Sequence, residues 1–491
     1  MDSLPGLPVE LLRSICSQLC IEKDNRSHGH ADISHLSRTC KQLQAIIQPL
    51  VFSTFAPEGD SLFFPKALQL IHALRLRPDL VQHLKYIDLT DINCDDSPSE
   101  TALHLLSSII TNLNFQPLDS DQNIFSNRNP LPLIELLLLH TPNLTHLNLA
   151  LSDDWFPHFL ATLYRRRQTS KSNNPPPILP HLTTLTLTHH CISRYTWELG
   201  LPAFLTILHA TAPNLRYLCT DNPGEELQAA TAALGRKVHT DIYPPLPNLV
   251  HLEFDRVPKL HPEVLRGIVD AAPNLEVFAL STGTSWDDHT DGNASERYEG
   301  DCTVVDVWEV VWSRRGTLRE VRLDVMHDGK AGGSTGGSLE FGGMPAWCGS
   351  LREFGRLEVL KVGNYALKVL REAWRRGQNN VEEDGFVDSL LPGCIREVTF
   401  WELDECWMDE LRRLADVVAS RPERYPNLTS VVVTHVPEDE MPREWKAKDE
   451  WLSASEDLEE QFRRAELRFE VKGVRGQKPV GPFETRSLFQ F

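Results

Sequence analysis

The chain has 491 residues, 41% of them hydrophobic and 24% charged, with a formal net charge of -19 at pH 7. That apolar content is enough to bury a sizeable core and argues against wholesale disorder. The acidic balance argues against a general nucleic-acid binder, whose phosphate contacts need a concentrated basic face.

The opening Met1–Val9 carries two prolines and a glycine where a secretory signal would need a basic stretch and an apolar core. An intracellular chain, cytoplasmic or nuclear, is therefore expected. The densest apolar run, Leu131–Leu139, includes Pro132 and Glu135 and is far shorter than the roughly 20 residues that cross a bilayer. No membrane span is predicted. The ten cysteines include no C-x-x-C pair, which in a reducing compartment predicts free thiols without a disulfide framework.

Within residues 1–55, apolar positions recur at helical spacing. Leu7, Leu11, Leu12, Ile15 and Leu19 make one stripe, which Pro8 can open in a first helical turn. Ile33, Leu36 and Cys40 make a second; Leu43, Ile46, Ile47 and Leu50 make a third, expected to end at Pro49 before Phe52 and Phe55. Helices this short bury little surface by themselves, so they are expected to pack against a partner or the rest of the chain.

The phrases Leu7-Pro8-x-Glu10-Leu11-Leu12-x-x-Ile15 and Leu36-Ser37-Arg38-Thr39-Cys40-Lys41-x-Leu43 resemble the F-box. The resemblance implies a three-helix hook that docks a Skp-type linker protein, and through it a cullin scaffold and a ubiquitin-conjugating module. The residues it implies for the hook or its contact face are Leu7, Pro8, Leu11, Leu12, Ile15, Leu19, Ile33, Leu36, Cys40, Leu43 and Ile47. The stretch Ile21–Ala31 is longer and more polar than the short link usual in that family.

From Leu84 onward one phrase repeats: leucine, two residues, apolar, one residue, apolar. It reads Leu84, Ile87, Leu89, then Leu144, Leu147, Leu149, then Leu182, Leu185, Leu187, and continues to Leu428, Val431, Val433. A degenerate copy, Leu215, Leu218, Thr220, stands between Leu187 and Leu249. The last two apolar positions of each copy lie two apart and so share one face of a short strand. Pro-Asn pairs at Pro142, Pro213, Pro247, Pro273 and Pro426 stop a helix just before the strand. Such helices are legible in Val264, Leu265, Ile268, Val269 and Ala272, and in Leu411, Leu414, Val417 and Val418.

Each unit is therefore helix, break, strand, and only stacking can bury its apolar face. An α/β fold follows: residues 56–436 form an irregular solenoid with parallel strands on one face and helices on the other. It resembles the leucine-rich-repeat class of F-box proteins, with loop insertions at residues 117–130, 165–177, 283–300 and 329–343. Residues 437–491 are a charged C-terminal segment in which Leu467, Phe469 and Val471 alternate like a capping strand.

Outward strand positions would line a surface for an unidentified protein target. The residues singled out are Tyr217, His251, Glu253, Asp255, Glu320, Arg322, Asp324 and Trp401. Carboxylates outnumber bases there, which favours a basic target, and the two aromatics are candidate anchors.

No catalytic set emerges. Gly332-Gly333-Ser334-Thr335-Gly336 has the spelling of a nucleophile elbow but no helix-forming sequence after it, and no phosphate loop or dinucleotide fingerprint occurs. His28 with His30 and His189 with His190 find no companion ligands in sequence, so neither a metal nor a cofactor is expected. These readings predict a non-enzymatic substrate-recognition adaptor of an SCF-type (Skp-cullin-F-box) ubiquitin ligase, the alternative being a ligase-independent interaction scaffold built on the same repeats.

Overall fold

A computed structural model of the protein describes residues 7–21, 35–57, 63–90, 108, 131–151, 177–189, 208–221, 245–255, 262–282, 304–325, 350–377, 385–401, 403, 407–434 and 448–472. No helix among the described residues is long and apolar enough to cross a membrane. The chain divides into two compact units, Met1–Leu218 and Cys219–Phe491.

The first unit opens with helices α1 (Val9–Ile21) and α2 (Lys41–Val51). Strand β1 (Thr54–Phe55), helix α3 (Phe63–Leu76) and β2 (Tyr86–Leu89) follow. Then come α4 (Leu131–Leu139), β3 (His146–Leu151), β4 (Thr184–His189) and the start of β5 (Tyr217–Asp221). Strands β1 to β4 pair in chain order and in parallel.

The second unit carries β6 (His251–Asp255), α5 (Pro262–Ala271), β7 (Val277–Thr282), α6 (Val304–Ser313) and β8 (Glu320–Val325). It continues with β9 (Val359–Gly363), α7 (Asn364–Gly377), α8 (Phe386–Leu390), β10 (Glu397–Trp401) and α9 (Met408–Ser420). It closes with β11 (Ser430–Thr434), α10 (Lys448–Arg464) and β12 (Arg468–Lys472). Every neighbouring pair from β6 to β12 is parallel.

The repeated phrase explains this ladder directly. Ile87 and Leu89, Leu252 and Phe254, Val321 and Leu323, and Val431 and Val433 are all buried, as are the leading Leu84, Leu249, Leu318 and Leu428. The same pair of bonds enters strand after strand. The backbone N–H groups of Thr145 and His146 both donate to the Lys85 carbonyl, and those of Arg319 and Glu320 both donate to the Glu276 carbonyl. The Pro-Asn break has a second use: the Asn214 amide donates to the Pro180 carbonyl at 2.7 Å, and the Asn274 amide to the Pro247 carbonyl at 2.8 Å. Each asparagine thus ties its own repeat to the one before, satisfying a carbonyl left over at a turn.

Three details depart from the sequence reading. Helix α2 runs through Pro49 to Val51, because a proline in the last turn forfeits a single ladder bond and the remainder of the helix is already formed. The ladder also starts one repeat early, since Thr54 and Phe55 pair with Tyr86 and Ile87 inside the stretch read as purely helical. Within the C-terminal segment the alternating residues do form a strand, β12 on β11, but it is preceded by α10, whose charge density hid a helical stripe ending in buried Leu458 and Phe462. Residues 117–130, 165–176, 283–300 and 329–343, including Ser334, lie outside the described residues.

Candidate functional site

Two groups of the residues singled out from the sequence are candidates for a functional surface, one in each unit. In the first unit, α1 and α2 form a small cluster of their own. Leu12 and Cys16 on α1 pack with Leu43, Ile46 and Ile47 on α2, and Leu7, Leu36 and Cys40 close its edges. Cys40 also caps α2: its thiol accepts the backbone N–H of Leu43 at 3.4 Å. The position read as part of an apolar stripe is therefore a helix start as well.

Part of α1 is uncovered. Val9, Leu11 and Ile15 are 41%, 53% and 40% exposed, and Pro8 beside them is exposed too. The residues assigned to the hook thus fall into two groups. Leu12, Leu43 and Ile47 hold the helix pair together, whereas Pro8, Leu11 and Ile15 face out. The side chain of Leu19 and all of Ile33 lie outside the described residues. Tyr217, also in this unit, is half-buried, with the Arg216 guanidinium 5.8 Å from its ring centre.

In the second unit the outward strand positions form one polar array, because parallel register aligns the repeats. Val277 stands opposite Glu320 and Glu320 opposite Val359; Glu253 stands opposite Ala279, Ala279 opposite Arg322 and Arg322 opposite Lys361. Ala279 matters here. A single methyl group between β6 and β8 leaves room for long side chains on both to lean over β7.

The array is internally paired. The Arg322 Nε–H donates to Glu320 Oε1 at 2.6 Å, and the Lys361 ammonium lies 3.6 Å from the same oxygen. His251 Nε2 sits 3.0 Å from Glu253 Oε2. Burial would raise the Glu320 carboxyl, but the bond to Arg322 and the charges of Arg322, Lys361 and His251 hold it below the ordinary glutamate range. Burial likewise opposes the Arg322 charge, yet Glu320, Glu253 and Cys219 together hold the guanidinium above its ordinary value.

Six of the eight residues singled out as target-binding, His251, Glu253, Asp255, Glu320, Arg322 and Asp324, therefore meet on one face. They are not the solvated row that period two alone implies. His251, Asp255, Arg322 and Asp324 are buried, since each leans on neighbours across the ladder. Trp401 departs further: it is 6% exposed, so its indole is not an accessible anchor, and its register partner Gly363 offers no side chain to prop it outward.

Sequence reasoning also missed a grouping. Donor atoms of Cys219, His251 and Glu253 all lie within 4.8 Å of one another. Cys219 and Glu253 hold the same place in consecutive copies of the phrase, so the repeat register was the signal that could have found them.

Comparison with protein-family models and with curated proteins gives no match to this chain.

Proposed function

We propose that this chain is the substrate-recognition adaptor of an SCF-type E3 ubiquitin ligase, with an F-box at its amino terminus and a leucine-rich-repeat array behind it. The carrying observation is the uncovered face of α1. Among the described residues, the large hydrophobics left exposed are Val9, Leu11, Ile15 and Leu76; Leu11 and Ile15, four residues apart, share one flank of α1, and Val9 and Pro8 lie at its start. A patch of that kind costs free energy in water and marks a contact surface. The F-box resemblance of the same residues names the occupant: a Skp-type linker protein, which brings the cullin with it.

The repeats supply the other half. A parallel ladder that holds the partly exposed Glu253 and Glu320 in place through their buried partners His251 and Arg322 suits recognition of a protein segment, since groups fixed before binding lose little entropy on contact. Its carboxylate surplus favours a target carrying lysine or arginine. The chain itself then performs no bond chemistry; it raises the effective concentration of target lysines at a conjugating enzyme bound elsewhere in the assembly.

The test is co-purification of a Skp-type linker and a cullin with the full chain. Leu11→Asp with Ile15→Asp should abolish both, because a buried interface rejects unpaired charge. If the linker fails to bind the native chain, or binds the double variant equally, the reading fails and the scaffold alternative stands.

A further inference from the structure

We propose that Cys219, His251 and Glu253 form a binding site for a divalent cation of the zinc class. The proposal does not depend on the ligase reading. It rests on the geometry of the second unit, which contains all three residues.

The donor set is a thiolate sulfur, an imidazole nitrogen and a carboxylate oxygen. Hard cations such as calcium and magnesium take oxygen ligands, whereas zinc accepts all three kinds, with bonds of about 2.0 to 2.3 Å. Ligand atoms around a tetrahedral zinc therefore stand roughly 3.3 to 3.8 Å apart. His251 Nε2 and Glu253 Oε2 are already 3.0 Å apart, and the full set falls within 4.8 Å. A small side-chain rotation about Cys219 closes the remainder. The backbone need not move, because His251 and Glu253 are held on β6 by its pairing with β7.

Charge supports the same conclusion. This face carries Glu253, Asp255, Glu320 and Asp324 against Arg322 and Lys361, leaving two negative charges in excess. Arg322 is the group that would oppose a cation here, but Glu320 holds its Nε at 2.6 Å, and that bond offsets much of its field. Three protein ligands leave a fourth position for water or for a donor on an incoming molecule.

The site is tested by spectroscopy on the full chain, freed of metal by a chelator and titrated with Co2+. The native protein should take up one equivalent with visible bands of tetrahedral cobalt and a near-ultraviolet thiolate charge-transfer band, and Zn2+ should displace it. Cys219→Ser should remove the charge-transfer band, and His251→Ala should weaken Zn2+ binding by more than the roughly 10- to 100-fold that losing a supporting group costs. Cys394→Ser, which alters a thiol bonded elsewhere to the Phe354 and Leu357 carbonyls, should leave the band intact. Thermal melts of each variant separate ligand loss from unfolding. No cobalt uptake by the native chain, a band that survives Cys219→Ser, or a band lost in Cys394→Ser would each overturn the proposal.

Discussion

Leu11 and Leu12 are consecutive residues on α1, about 100° apart around the helix, with different surroundings: Leu12 is 1% exposed against α2, while Leu11 is 53% exposed. The same side chain at adjacent positions therefore has two different jobs. Leu12→Ala should destabilise the helix pair by about 2–5 kcal/mol, the usual cost of emptying a leucine site. Leu11→Ala should shift stability by no more than about 0.5 kcal/mol, as for other surface positions. Proteolysis of the amino-terminal segment and far-ultraviolet circular dichroism distinguish the two. Equal losses would show that Leu11 is covered as Leu12 is.

The Glu320–Arg322 pair predicts a specific acid response. Because the folded carboxyl lies below its ordinary value of 4.5, the unfolded chain takes up its proton first as pH falls. The pair's contribution to stability is thus complete above 4.5 and is lost as pH drops through the lowered folded value. Native protein and Glu320→Gln should differ most near neutral pH and converge under acid. Denaturant titrations across that window measure the difference; a gap that widens in acid would reverse the assigned sign.

Much of the ladder was legible because burial obeys one short rule. Ile87 and Leu89, or Val431 and Val433, could be assigned inward from spacing alone, since a strand alternates its faces. The outward side was less legible. Nothing in the sequence around Arg322 states that Ala279 intervenes and lets it reach toward Glu253; that follows only from register across separate repeats. Trp401 failed for the same reason, its fate depending on a glycine in the neighbouring strand. The amino-terminal stripe was readable as apolar, but which leucines face α2 and which face out depends on how two helices meet.

Thr220 is the weak point of the degenerate repeat. It fills a slot that holds Phe254 or Leu89 elsewhere, and its hydroxyl oxygen is buried without a hydrogen-bond partner. Burying an unsatisfied hydroxyl costs about 1–3 kcal/mol. Thr220→Val keeps the shape and the β-branch, so it should raise stability by about 1 kcal/mol, read as a higher melting temperature. A lower one would mean that the hydroxyl is satisfied in solution.

Gly363 closes β9 directly beside Asp324 on β8. A methyl group at this glycine would stand 2.9 Å from Asp324 Oδ1 and 3.6 Å from its Cα. The carboxylate is buried, so it cannot simply swing into water to make room. Gly363→Ala should therefore cost about 1–3 kcal/mol through overpacking. The effect is steric and local, which makes it separable by a double-mutant cycle. Asp324→Ala removes the clashing oxygen, and adding Gly363→Ala to that background should cost much less than it does in the native chain, giving a coupling of at least about 0.5 kcal/mol. Additive losses would place the two residues further apart than the strand register puts them.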